Sequence, residues 1–193
     1  MLIEINKLEK KIQTQDLQLD IVKKENVLDV FHILNNYQVI RYTDIYQNTS
    51  IEYTENLIAV WQKELLENTR IFWLIKNKTK NKTIGIVGFS GINWKHSFAS
   101  ITCALNQQYW RKEIGSEALK AIINFGFHSL NLYRLEAQVF VENNSAVKLF
   151  DKLRFINEGI LRGNFLIEGK FESSVMFSLL KPDFEKAGDF FKF

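Results

Sequence analysis

The densest chemistry in the sequence lies where SITCAL (Ser100–Leu105) runs through NQQYWRKE (Asn106–Glu113) into IGSEALKAII. That last segment puts Ile114, Ala118, Ile122 and Phe125 in one apolar row, the spacing of a helix. The turn before such a helix presents backbone N–H groups without helical partners at the positive end of a dipole, a site suited to phosphate. Arg111 and Lys112 add cations there. Further on, Glu136 and Gln138 alternate along RLEAQVF (Arg134–Phe140) and so share one strand face. Glu136 is a candidate base acting through a water, and equally a structural partner for Arg134 or Arg162. Asn143 or Asn144, beside Ser145, is a candidate cap for the helix that follows. Cys103 sits among apolar neighbours and reads as a small core residue rather than a nucleophile. His32, His96 and His128 lack ligand spacing, so no metal is expected. Trp94, Phe98 and Trp110 are candidates for lining a groove.

The elements that position these residues follow from their periods. DLQLDIV (Asp16–Val22) alternates as a strand, and Lys24–Leu34 carries a helical stripe of Val27, Val30, Phe31 and Leu34. A second helix is expected after Ser50 as N-cap, with Ile51, Ile58, Trp61 and Leu65 on its apolar side. Ile71–Lys76 and Thr83–Ile92 read as two strands joined through Asn77–Lys82, and Ser97–Leu105 as a third. After the crossover helix come the strand Arg134–Phe140, a short amphipathic helix Ser145–Leu153, and closing strands FINEGIL (Phe155–Leu161) and Phe171–Leu180. The order β-α-α-β-β-β-α-β-α-β-β predicts an α/β fold of the α+β type. Its central sheet is mostly antiparallel and flanked by about four helices, with one parallel β-α-β crossover between Ser97 and Phe140.

Composition bounds the class. With 193 residues, 46% of them hydrophobic, one Pro and 9 Gly, the chain is expected to close one domain over residues 1–193. Residues 1–13 read as an N-terminal extension and 182–193 as a tail. The lone cysteine and the charged start MLIEINKLEKKIQ point to a cytoplasmic protein without a signal peptide. No stretch reaches the roughly 20 apolar residues that span a bilayer, so no membrane partner is expected. A net charge of +3, with 25 Lys and Arg interleaved with 22 Asp and Glu, gives no clustered basic patch and so no nucleic-acid partner. Of the tail aromatics, Phe190, Phe191 and Phe193 are expected to dock on the domain or on a dimer partner.

Over roughly Thr14–Lys181 the sequence resembles the GNAT superfamily of N-acetyltransferases, and within it the ribosomal-protein-alanine N-acetyltransferase-like group. Three blocks carry the resemblance in the family's order: YWRKEIGSEALKAIINFGF, LYRLEAQVFVENNSAVKLFDKLRF and EGKFESSVMFSLL. It implies a GNAT-like sheet and acetyl-CoA as co-substrate. Arg111, Lys112, Glu113, Ile114, Gly115 and Ser116 would then hold the coenzyme's pyrophosphate. The family's loop slots are filled here by Trp110, Glu113 and Gly115, of which only Gly115 keeps the family's residue type. The resemblance places Asn143 against the coenzyme arm and puts Phe150 where many relatives carry a Tyr that protonates the departing thiolate. A backbone N–H near Ala104 or Leu105 would serve the thioester carbonyl. Some relatives hold a catalytic Glu at the slot of Gln138, and often a Glu at that of Ser100. An α-amine of pKa ~7.7–8.0 costs about 1 kcal/mol to deprotonate at pH 7, against about 4 to 5 kcal/mol for a Lys near ~10.4. The implied activity is therefore direct acetyl transfer to a primary amine, foremost a protein or peptide N-terminus. The alternatives are a small amine (polyamine, amino acid, aminoglycoside) or an acyl-CoA-binding module with impaired catalysis. The loops Asn35–Ser50 and Leu161–Lys170 are expected to shape the acceptor site, in a monomer or homodimer.

Overall fold

Ile71–Ile75 are all buried, and a strand buried along both its faces must lie inside a sheet covered on both sides. The computed structural model, which describes residues 5–43, 47–167 and 169–192, shows that cover. Strands β1 (Ile12–Gln13) and β2 (Leu17–Ile21) precede helices α1 (Val27–Leu34), α2 (Tyr37–Ile40) and α3 (Ile51–Leu66). Then come β3 (Ile71–Asn77), β4 (Lys82–Asn93), β5 (Phe98–Leu105), α4 (Ile114–Asn124) and β6 (Arg134–Phe140). Helix α5 (Asn144–Lys152), strands β7 (Ile156–Ile167) and β8 (Lys170–Leu180), and helix α6 (Lys181–Ala187) complete the order. The strands form one eight-stranded sheet, β1-β2-β3-β4-β5-β6-β8-β7. All neighbours are antiparallel except β5 and β6, the expected crossover pair.

Two apolar layers result. On one face α1 to α3 pack Val30, Leu34, Ile58 and Trp61 against Phe72, Leu74, Ile86 and Ala104. Trp61 meets Phe72 edge-on at 4.8 Å. On the other face α4 buries Ala118, Leu119, Ala121, Ile122 and Ile123 against Val87, Phe89, Ile101 and Leu135. Ser50 caps α3 as expected, its hydroxyl accepting from Tyr53 N–H at 3.0 Å. Ile51 departs from the expected stripe and is 44% exposed.

Other departures concern the chain's less periodic parts. Among the described residues six α-helices stand where about four were expected: α2 forms inside the segment read as a loop, and α6 runs into the one read as a tail. Most of Leu161–Lys170 is not a loop, since β7 runs on to Ile167 and pairs it with Lys170. The ends join the larger core, with Ile5 and Phe191 at 0% and 1% exposure. Phe191 packs against Phe184 with its ring tilted, while Phe190 lies between Lys120 (4.2 Å) and Arg154 (4.5 Å). Phe193, part of the expected extension (1–4), part of the 35–50 segment (44–46) and residue 168 lie outside the described residues. No described helix is long and apolar enough to cross a membrane.

The closest approach in the sheet is at Gly88. A Cβ there would lie 2.1 Å from the Ile71 carbonyl oxygen and 2.8 Å from Phe72 Cα. Gly88→Ala is expected to cost about 1 to 3 kcal/mol or more, seen as a lowered melting temperature.

Candidate active site

Strands β5 and β6 are paired only at Phe98/Arg134, Ala99/Leu135 and Ser100/Glu136. Beyond these residues they part, although β5 continues to Leu105 and β6 to Phe140. Their outer edges stay engaged. Asn106 N–H donates to Ile84 O at 2.8 Å, which by strand alternation turns the peptide groups of Cys103 and Leu105 toward the gap. Val141 N–H donates to Ser173 O at 3.1 Å, which turns the N–H groups of Gln138 and Phe140 toward it from the other side. A cleft of about 870 Å³ passes through this opening. Its walls include Ile101, Ala137 and Val139 from the α4 face, and Thr102, Gln138 and Phe140 from the α2 face.

At the α4 end of the cleft, Arg111 and Glu113 both hold left-handed backbone, each with φ 58°. Residues of alternating hand aim consecutive N–H groups into one concavity, the geometry of an anion nest, here leading into the helix N-terminus. Glycine would adopt these angles freely, whereas a side-chain-bearing residue costs about 1 to 2 kcal/mol. Glu113 turns its carboxylate to Lys152 Nζ at 2.5 Å. Gly115 borders the cleft, where an added Cβ would meet only Leu149 at 3.6 Å and Leu105 at 3.8 Å. Buried Ser116 lines it too, while Lys112 and Ile114 do not. Trp110 lines the cleft and donates its indole N–H to Leu105 O at 2.7 Å. Trp94 instead bonds to Asn68 O, and Trp94 and Phe98 lie off the cleft.

Of the remaining candidates, Leu105 borders the cleft and Ala104 is buried beneath α1 and α2. Asn143 does two things at once: it caps α5, accepting from Ala146 N–H at 3.1 Å, and it lines the cleft. Phe150 stacks on Phe177 and meets Phe155 edge-on, contributing an apolar wall with no hydroxyl. Cys103 packs against the α4-side core, as its apolar neighbours suggested, and also borders the cleft; burial pushes its thiol up to about 12 and leaves it neutral.

Glu136 is held in an ion-pair chain. Its carboxylate accepts from Arg134 Nε at 3.1 Å and from the Ser100 hydroxyl at 3.2 Å. Arg134 also grips Glu158 through two bonds of 2.7 Å, and Ser178 donates to Glu158 at 2.6 Å. Ser100 lines the cleft; Glu136 stands behind it. Gln138 lines the cleft and accepts from Asn164, which in turn accepts from Ser174. The segments 35–50 and 161–170 reach the cleft through Gln38, Arg41 and Tyr42 around α2 and Phe165 on β7, none of which the sequence singled out individually. Phe140 bridges the two groups, 6.5 Å from the Tyr42 ring and 4.8 Å from that of Phe165. Among the described residues no group of three or more His, Cys, Asp or Glu comes together as a metal site.

The Arg134 guanidinium holds the Glu158 carboxyl below its ordinary 4.5, at about 2. A depressed acid stabilises the fold fully above its unfolded value and loses that contribution as pH falls through its folded one. The melting temperature should therefore fall between about pH 4.5 and 2, and Glu158→Gln should flatten that limb.

Comparison with known proteins gives this geometry a family. Residues 16–156 match the acetyltransferase (GNAT) domain. The Bacillus licheniformis protein named "Uncharacterized N-acetyltransferase p20" is 31% identical over 173 residues, 90% of this chain and 97% of its own length. The spermidine N(1)-acetyltransferase of Escherichia coli (strain K12) is 24% identical over 163 residues, 84% of this chain and 85% of that protein. In fold, the chain is similar to the ribosomal-protein-S5-alanine acetyltransferase from Vibrio fischeri, with TM-score 0.82 at 19% identity over 91% of this chain and 98% of that one. It is also similar to spermidine N-acetyltransferase from Vibrio cholerae in complex with CoA and spermine, with TM-score 0.80 at 22% identity over 89% and 99%. The domain match takes in the crossover and both parted strands, and with the likeness to p20 it makes the chain a member of the GNAT family of N-acetyltransferases.

Proposed function

We propose that the protein transfers an acetyl group from acetyl-CoA to a primary α-amine, as at a protein or peptide N-terminus, by direct attack across the gap between β5 and β6. The observation that carries this reading is that the cleft opens on both sheet faces, so donor and acceptor can meet from opposite sides. The donor fits the α4 side. The nest at 111–113 and the open approach at Gly115 suit a pyrophosphate, with Arg111 and Lys148 as nearby cations and Leu119 and Phe150 as apolar walls. Acetyl-CoA supplies the activated thioester. Leu105 N–H, turned to the open edge, is the donor for its carbonyl, and Leu105 O is already occupied by Trp110.

On the acceptor side the chain must hold an amine and take its proton. Ser100 is the cleft-facing end of a route to Glu136, whose carboxylate Arg134 keeps turned toward the Ser100 hydroxyl. Amine to Ser100 and Ser100 to Glu136 is a two-step transfer that needs no buried base in direct contact with substrate. With Phe150 in place of a general acid, the leaving thiol, of pKa roughly 8.5, departs as thiolate near neutral pH. An α-amine, already partly neutral there, suits this modest machinery better than a Lys side chain. The relatives named for spermidine bring a polyamine into question, but the described cleft near α2 presents a cation, Arg41, where a polyamine calls for carboxylates.

Acetyl-CoA at ~100 times its dissociation constant should stabilise the fold by about 2.7 kcal/mol, raising the melting temperature by roughly 5 to 10 °C. Glu136→Gln and Ser100→Ala should keep that shift while lowering kcat with a peptide amine by about 100-fold, measured as thiol release. Saturable binding with no thiol release in the wild type would leave a coenzyme-binding module instead. A Glu136→Gln enzyme as fast as wild type would reduce Glu136 to a partner of Arg134.

A further inference from the structure

The acceptor end of the cleft carries a cation, Arg41, that no carboxylate among the described residues answers. Arg41 lines the cleft just after α2, half-buried, and donates to Gln38 Oε1 at 3.2 Å and to the Tyr42 hydroxyl. Its guanidinium lies over the Tyr42 ring, 4.3 Å from the centroid. Other half-buried arginines are matched: Arg70 with Glu64, Arg134 with Glu136 and Glu158. Among the described residues no carboxylate pairs with Arg41. A guanidinium has five N–H donors; two of those on Arg41 are used on Gln38 and Tyr42, and the others remain to donate to a carboxylate in a charge-assisted pair.

Its surroundings strengthen the case. Tyr42, Phe140 and Phe165 form a continuous aromatic wall beside it, and apolar walls strengthen an ion pair formed against them. The polar groups near the gap on this face, Ser100, Thr102 and Gln138, are neutral. The carboxylates that line the cleft lie elsewhere: Glu113 is paired with Lys152, and Glu142 sits on the turn leading into α5.

We infer that Arg41 selects the acceptor: the amine is carried on a molecule with a carboxylate close to it, and that carboxylate pairs with the guanidinium. This rests on the acetyl-transfer reading and narrows its acceptor class. The reaction stays balanced, since the amine nitrogen bonds the acetyl carbon, the carbon–sulfur bond breaks, and one proton leaves the nitrogen. The carboxylate has two sources, the α-carboxylate of a free amino acid or an acidic side chain next to a peptide N-terminus.

The test measures kcat/KM by thiol release on matched acceptors: a peptide with Asp against one with Asn at its second position, a free amino acid against its amide, and spermidine. A charge-assisted pair at such a site predicts at least about a tenfold preference for the carboxylate member of one matched set, and the set that shows it names the source. Arg41→Gln should bring that ratio near one, and Arg41→Lys should restore part of it. The melting temperature of each variant reports whether it folds; if Arg41→Gln does not, the wild-type ratios alone decide. Equal rates within both sets, spermidine as the fastest acceptor, or a ratio untouched by Arg41→Gln would overturn the inference while leaving acetyl transfer standing. Absence of any acetyl-CoA-induced stabilisation would overturn the transfer reading itself.

Discussion

Parallel strands that share only three residue pairs and then separate leave two rows of peptide groups facing each other across a gap, where Trp110 already engages Leu105 O. Backbone N–H and C=O groups turned inward must be satisfied by something. In this protein their outer edges are fully engaged, β5 with β4 and β6 with β8, so neither strand can swing over to close the gap. The opening is fixed by the rest of the sheet. It lets one cleft reach both faces, and every proposed role follows from which face a residue is on.

The two faces are built differently for physical reasons. On the α4 side a long helix buried almost all round needs a firm start, and the loop before it takes left-handed backbone at Arg111 and Glu113 to aim its N–H groups inward. Strain of that kind persists where the surroundings over-determine it, commonly at ligand sites. On the α2 side, among the described residues, polar side chains rather than a long helix cover β6, β8 and β7. Glu158 lies over Ser178 and Asn164 over Ser174, so these serines are buried without being orphaned. The Arg134 chain that serves this cover also orients Glu136, so the structural and chemical readings of Glu136 are one arrangement.

Much of this was legible in the sequence. Apolar spacing located the main helices, Ser50 announced α3, and alternation put Glu136 and Gln138 on one face beside Arg134. The crossover followed from a strand, a helix and a strand in succession. What escaped was whatever lacked a period. Helix α2 is a single turn of four residues, too short to register, and it brings Arg41 and Tyr42 to the cleft. Strand β7 is exposed along most of its length, so no burial pattern marked its extension to Phe165. Cys103 borders the cleft as well as the core because the strands part beside it, a tertiary event with no local signature. The pairing of Glu113 with Lys152 joins residues 39 apart in sequence, beyond the reach of spacing arguments.

The central claim is that acetyl-CoA enters the gap between β5 and β6 and meets the peptide groups turned into it. Residue-resolved hydrogen exchange, with and without acetyl-CoA, tests this directly. The amides of Leu105 and Cys103 should exchange faster than that of Ala104, which is turned toward β4, and should slow on binding while Ala104 changes little. Unchanged exchange at Leu105 and Cys103 under saturating acetyl-CoA, with protection appearing elsewhere, would contradict the account.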